Sequence, residues 1–182
     1  MMNDPPERNI MGREIVALLP RLRRFAAGLT GSMQEGDDVV QAACLRALER
    51  HRQFQEGSRL DSWLFTIIRT VWLDRRKSAW SRMVRSEPER LAEMPGRSLD
   101  HELEARSDWS QARRAIAVLP EDQRQALLLV TVEGMSYEAV AAMLGIPTGT
   151  VLSRVARARV AVARFMTDAA QAPSAKFRQS SR

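Results

Sequence analysis

Two helical patterns meet at Gly145-Ile146-Pro147, and this junction limits the fold more than any other part of the chain. A glycine can take the left-handed conformation that ends a helix, and a proline two residues later cannot continue one. Before the junction Tyr137, Val140 and Leu144 share a face, Ser136 is placed to cap the first turn, and Glu138 sits where the positive helix end favours an acid. After it, Thr148 or a neighbour caps a second helix. There Val151, Val155, Ala158 and Val162 fall within about 60° of one another. Thr150, Ser153, Arg154, Arg157, Ala161 and Arg164 form another face, so one side can pack while the other carries hydroxyls and guanidiniums.

That division suits a helix-turn-helix whose second helix enters a major groove. Small residues at its start, Gly149 and Thr150, let the backbone approach DNA, and Arg154 can reach base edges or phosphates. An amphipathic hairpin with a solvated basic face has the same periodicity. The short turn and the acid-free second pattern favour DNA. Arg159 falls outside the outer face and is expected to be structural, paired with an acid.

The rest of the chain is consistent with a nucleic-acid partner. Its 182 residues allow one ordinary domain or two small ones, and a net charge of +6 with a pI near 10.8 favours a polyanion. Aromatic residues are only 5%, so the core must be built from Leu, Val, Ile, Ala and Met. No apolar run approaches the ~18 residues of a membrane span, and the N-terminus lacks a basic-then-apolar signal. A cytoplasmic protein without membrane insertion is expected. Cys44, the single cysteine, excludes an internal disulfide and reads as a small core residue, not a redox sensor. With two histidines a closed zinc site is not expected, and no cofactor is.

Charge divides the chain. Arg59 to Arg85 holds seven basic residues against two acids, whereas Ser86 to Asp108 holds seven acids against three arginines, together with Pro88, Pro95 and Gly96. The second stretch reads as a linker over 86–108 between helical domains at 12–85 and 109–167, with 1–11 and 168–182 disordered. In the first domain Leu22, Phe25, Ala26 and Leu29 form one stripe, with Pro20 as a helix-start residue. Asp37 to Arg50 forms a second helix with Val40, Ala43 and Ala47 inside and Asp37 and Asp38 at its N-terminus. Leu64, Ile67, Ile68 and Val71 mark a third from about Leu60 to Lys77. The fold class is all-α.

In this order, "DDVVQAACLRALER", "RLDSWLFTIIRTVWLDRRK" and "LPEDQRQALLLVTVEGMSYEAVAAMLGIPTGTVLSRVARAR" resemble three segments of the extracytoplasmic function (ECF) sigma factors of the sigma-70 superfamily. The resemblance runs from about Ile15 to Arg164. "LPRLRRFAAGLTG" and "SWLFTIIR" look most like the alphaproteobacterial general-stress-response subgroup. It implies sigma region 2, a flexible acidic linker and sigma region 4. Asp38, Gln41 and Leu48 then match polymerase-contacting positions, while Ala42 stands where a glutamate is common. The loop of Gln53, Gln55, Glu56 and Ser58 matches the place where the family traps a flipped minus-ten base, which needs a pocket and groups that read a base edge. Arg69, Arg75, Arg76 and Lys77 are candidates for phosphates. Thr70 replaces a frequent asparagine and is given no base contact; Trp63 reads as core. Thr148, Gly149, Thr150, Ser153, Arg154 and Arg157 face the minus-thirty-five element.

The implied function is promoter-specific initiation, with core RNA polymerase, promoter DNA and an anti-sigma protein as partners. The chain is not expected to be an enzyme: it has no Walker-type phosphate loop, and no histidine beside a plausible nucleophile. Asp37 and Asp38 diverge by about 100° on a helix and make a poor metal pair. A helix-turn-helix regulator that acts without polymerase, and a sigma-like adaptor or inhibitor that does not initiate, are the alternatives.

Overall fold

The computed structural model describes residues 6–55, 57–86 and 108–171. Among them every regular element is helical. The stretch 87–107, which contains nearly all of the expected acidic tether, lies outside the described residues, as does Glu56.

The N-terminal half is α1 (Pro6–Thr30), α2 (Met33–Glu49) and α3 (Leu60–Ser86). Met11, Ile15, Leu22, Phe25, Ala26 and Leu29 recur at helical spacing and bury one face of α1. Against it pack Val39, Val40, Ala43 and Ala47 of α2 and Leu64, Phe65, Ile68 and Val71 of α3. Phe25 meets Phe65 edge to face, with ring centroids 4.9 Å apart. Fully burying side chains of this size contributes about 1.5–3 kcal/mol each.

Three sequence expectations are corrected here. Pro20 does not start a helix; it lies inside α1, which begins at Pro6 within the stretch expected to be disordered. The buried face on both sides of Pro20 offsets the lost backbone hydrogen bond. Nor does α2 start at Asp37. Ser32 caps it by accepting from the Glu35 amide at 3.3 Å, which leaves Asp37 and Asp38 in the second turn. The third helix continues past Lys77 to Ser86.

The C-terminal half is α4 (Asp108–Ala117), α5 (Glu121–Leu127), α6 (Tyr137–Leu144) and α7 (Thr148–Gln171), with a π turn over Leu128–Val132. Glu121 and Asp122 lie in the first turn of α5, where the helix dipole favours acids. The wide turn, closed by Glu133 N to Leu128 O and Met135 N to Leu129 O, buries both Leu128 and Leu129. Ser136 caps α6, and Gly145 ends it in the left-handed region at φ 66°, which a side chain would strain. Val151, Val155 and Ala158 are buried and Val162 packs on them, as their spacing predicts.

The two halves are docked. One hydrophobic cluster runs through both, and Arg124 ties their helix ends together. Its guanidinium donates to the carbonyls of Leu29 near the end of α1 (2.8 Å), Ala117 at the end of α4 (2.6 Å) and Leu119 (3.0 Å). Helix C-termini leave such carbonyls unpaired, and a cation there is favoured by the dipole.

Candidate functional site

The outer face of α7 presents what the sequence pattern requires. Gly149, Leu152, Ser153 and Arg157 are exposed, whereas Thr148 and Thr150 are half-buried. Ser153 donates to the Thr150 carbonyl at 3.0 Å, and Arg157 folds back on Ser153 through its carbonyl (3.2 Å) and hydroxyl (3.4 Å). Arg154 is anchored instead. Its Nε lies 3.1 Å from Asp122 Oδ2 on α5, and its side chain is 23% exposed. A guanidinium carries five N–H donors, so its terminal nitrogens can serve a second acceptor while Nε keeps this pair. Arg159 does not pair with an acid as expected; it is exposed and reaches the Thr131 hydroxyl at 3.5 Å.

A second feature is an open apolar groove on α1 and α2, lined by Leu19, Val40, Gln41, Cys44, Leu45 and Leu48 with Arg23 and Asp37. The helical spacing of residues 41, 44, 45 and 48 puts them on one face of α2. Two of the three polymerase candidates, Gln41 and Leu48, belong to it. Asp38 is exposed outside its lining, and its carbonyl accepts from Arg75 at 3.0 Å. Asp37 forms a two-pronged pair with Arg23 (2.7 and 2.6 Å), which holds its carboxyl below the usual range. Sequence reasoning missed Leu45, which is 58% exposed in the middle of this apolar face. An apolar residue on the outward side of a periodic helix was the available signal. Burial pushes the Cys44 thiol up, so it is a poor nucleophile at neutral pH.

The loop between α2 and α3 and the α3 cations form the third surface. Gln53, Gln55 and Ser58 are exposed; Ser58 donates from its hydroxyl to the Gln55 carbonyl at 2.6 Å. Phe54 stacks tilted on Trp63 at 5.4 Å, fastening the loop to α3, and Trp63 packs against the core as read from its spacing. Of the cations, Lys77 is exposed and Arg75 is tied to Asp38. Arg69 and Arg76 turn towards the other half: Arg69 donates to Gln125 Oε1 at 2.7 Å, and Arg76 pairs with Glu121.

An ionic network crosses beside this surface. Arg21 of α1 bridges Asp61 (3.0 Å) and Glu133 (3.1 Å), and also donates to the Glu133 carbonyl at 3.2 Å. Arg59 and the Ser62 amide, at 2.8 Å each, join Arg21 in holding the Asp61 carboxyl down to about 2. Glu133, whose side chain is fully buried, is pushed up by desolvation despite Arg21. Neither the network nor the Arg69 and Arg76 contacts were foreseen.

A family profile described as Sigma-70, region 4 matches residues 110–162, and one described as the Sigma2 domain of PhyR matches residues 15–69. The chain is 41% identical over 149 residues to the ECF RNA polymerase sigma factor EcfG of Rhodopseudomonas palustris, covering 80% of this chain and 79% of that protein. It is 39% identical over 142 residues to the ECF RNA polymerase sigma factor SigC of Mycobacterium tuberculosis, covering 76% and 74%. Among solved structures, the sigma factor RpoE in complex with the anti-sigma factor NepR from Bartonella quintana matches with a TM-score of 0.72 at 30% identity, over 85% of this chain and 95% of that one. The PhyRSL–NepR complex from Sphingomonas sp. Fr1 matches with a TM-score of 0.63 at 25% identity, over 86% and 88%.

Proposed function

The chain belongs to the ECF RNA polymerase sigma factors, and on that premise we propose how its surfaces divide the work of promoter-specific initiation. The face of α7 reads the minus-thirty-five element: Thr148, Gly149, Thr150 and Ser153 approach the backbone, while Arg154 and Arg157 supply the guanidiniums. The α2 groove, with Gln41, Leu45 and Leu48, seats on core RNA polymerase, and Asp38 contacts it at the rim. Gln53, Gln55, Glu56 and Ser58 trap an unpaired minus-ten base. Arg69, Arg75, Arg76 and Lys77 hold the phosphates of that strand. The observation that carries the reading is the packing of α7, which turns Val151, Val155 and Ala158 inward and leaves a hydroxyl-and-guanidinium face outward beside a tight helix-turn-helix.

Core polymerase, promoter DNA and an anti-sigma protein are the partners. The relative RpoE was solved with the anti-sigma factor NepR, which supports an anti-sigma protein as a partner of this chain. The identity with EcfG supports the general-stress-response subgroup and stress-response genes as targets. The work is done by binding: trapping the single strand and contacting polymerase supply the free energy of melting, without catalysis by this chain. Its place is the cytoplasm, with polymerase; among the described residues no single helix is long and apolar enough to cross a membrane.

Transcription with core polymerase on pooled genomic promoter fragments tests the reading. Initiation at defined positions only when the protein is added is expected. One observation favours a second reading: the N-terminal match is to the Sigma2 domain of PhyR, and a Bartonella quintana protein of that name is described as an anti-anti-sigma factor. Binding to an anti-sigma protein without any initiation would select that reading.

A further inference from the structure

The outward face of α7 is not uniformly polar. Leu152, at the start of the second turn, is 49% exposed and stays outside the hydrophobic cluster that takes in Val151 and Val155. Around the helix it stands about 60° from Gly149 and about 40° from Ala156, which are exposed as well. A Cβ placed on Gly149 would meet nothing within 4 Å, so the leucine rises from a shelf of small residues that lets another surface come close. Ser153 and Arg157 follow on the far side of that shelf, about 100° and 140° round from Leu152, and are hydrogen-bonded to each other. The helix carries four arginines and no acid before Asp168. Charge complementarity therefore gives the leucine and the guanidiniums the same partner, duplex DNA. Val160 is also exposed, at 52%, but it lies about 12 Å further along the axis. Base edges are reached from the N-terminal part of a recognition helix, which is where Leu152 sits.

We propose that Leu152 is a specificity-determining residue that reads thymine: its methyl groups pack on the C5-methyl of a thymine in the major groove of the upstream element. This rests on the assignment of α7 to the minus-thirty-five element. The C5-methyl is the apolar group that base pairs present in the major groove, so it is what an apolar side chain there can recognise. Contact removes both partners from water, which favours thymine. Cytosine lacks the methyl and presents an N4 amino donor where thymine has its O4 acceptor. A leucine has no acceptor to offer that donor, so covering it without a hydrogen bond disfavours cytosine. The face thus has two parts. Ser153, Arg154 and Arg157 read by hydrogen bonds, and Leu152 reads by the presence of a methyl group.

The test uses holoenzyme reconstituted from core RNA polymerase and the full chain, bound to a fluorescein-labelled promoter duplex. Competitor duplexes replace each thymine of the upstream element, on either strand and one at a time, by deoxyuridine. That base keeps its pairing edge and O4 and lacks only the methyl. At one thymine, or two adjacent ones, the replacement should weaken binding roughly three- to fivefold for the parent chain. Leu152→Met, which keeps an apolar side chain of similar reach, should show a loss of the same order. Leu152→Ala should bind the thymine and deoxyuridine duplexes equally. Because Leu152 is exposed on a helix, its helicity should be unchanged, which circular dichroism checks. Affinity that no deoxyuridine alters, an upstream element without thymine on either strand, or a deoxyuridine loss as large in Leu152→Ala as in the parent overturns the proposal. So does a Leu152→Ala loss that is equal on preferred and scrambled elements, which would give the leucine to polymerase. Scrambling the whole upstream element separates the failures. If scrambling weakens binding and deoxyuridine does not, the methyl contact alone is wrong; if scrambling changes nothing, α7 does not read this element and the larger assignment falls too.

Discussion

Arg154 on α7 is held through its Nε by Asp122 Oδ2 at 3.1 Å, so the side chain facing the proposed DNA site is aimed by an acid on α5. A guanidinium fixed at one nitrogen loses less freedom when the other two engage an acceptor. The same acid sits near the place where phosphates would approach and repels them.

Opposite effects on specific and non-specific binding follow for Asp122→Ala. Discrimination between the preferred upstream element and a scrambled one should fall by about 1 kcal/mol, because Arg154 loses its aim, while affinity for scrambled duplex rises slightly. Arg154→Ala should lose about 1–3 kcal/mol on the preferred element. Competition binding with the reconstituted holoenzyme measures both. Equal losses on the two sequences for Asp122→Ala would mean that the acid supports the fold and does not aim Arg154.

Much of this face was legible because the signals are local. Ser136, Gly145 and the spacing of Val151, Val155 and Ala158 act within a turn or two of themselves, and the structure places each as its pattern requires. Pro20 misled because a residue-level rule about helix starts competed with a long buried face that sequence reasoning began too late. Asp37 misled for a related reason: the true cap, Ser32, is followed by Gly36, and the acid's partner is Arg23, fourteen positions away on α1. The α5 contacts with Arg69 and Arg76 were not legible at all. They join residues 56 and 45 positions apart, and no periodicity encodes which surface of one helical unit will meet another.

The groove on α2 makes a prediction that separates its members. Leu45→Glu should reduce co-sedimentation with core polymerase more than tenfold, since it places a charge in the middle of an apolar contact (about 1.4 kcal/mol per decade). Gln41→Ala and Leu48→Ala should each weaken binding severalfold, and Asp38→Ala less, because Asp38 lies outside the lining. Helicity should be unchanged in all four. Cys44 gives an independent reading: its half-buried thiol should react slowly with maleimide, and more slowly with polymerase bound. An unprotected thiol in the complex would move the interface elsewhere.

The Asp61 and Glu133 carboxyls should respond to pH in opposite directions. Asp61 has its folded-state value lowered to about 2, from about 3.9 in an unfolded chain. Its stabilisation is therefore complete above about pH 4 and is lost as pH falls towards 2. Asp61→Asn should cost about 1–2 kcal/mol at neutral pH, discounted for the solvated Arg59, and progressively less as pH falls below about 4. Glu133 is raised by desolvation, so its ionised form costs stability, and that cost grows as pH rises through the raised value. The stability of the parent minus that of Glu133→Gln should accordingly decline from pH 4 upwards. Urea unfolding across pH 3 to 8 tests both slopes, and parallel trends for the two variants would contradict the network.

Arg124 offers the most severe change available at the junction of the halves. Its guanidinium satisfies three carbonyls, those of Leu29 and Ala117 at helix ends and that of Leu119 in the turn between α4 and α5, and it does so partly buried, where desolvation pulls its own pKa down. Arg124→Met keeps the apolar stem but strands the carbonyls of Leu29, Ala117 and Leu119. A loss of about 2–4 kcal/mol in urea unfolding is expected, since each orphaned buried acceptor costs about 1–3 kcal/mol and local water recovers part of it. Arg124→Lys should recover less than half of the loss, because a single ammonium cannot span all three oxygens in the geometry of a planar fork. The C-terminal half should loosen first, so amide exchange in α4 and at the end of α1 should accelerate before that in α3, whose Leu64 and Phe65 stay in the core beside Phe25 of α1. Uniform acceleration across all helices would show instead that Arg124 supports global stability without marking the joint between the two halves.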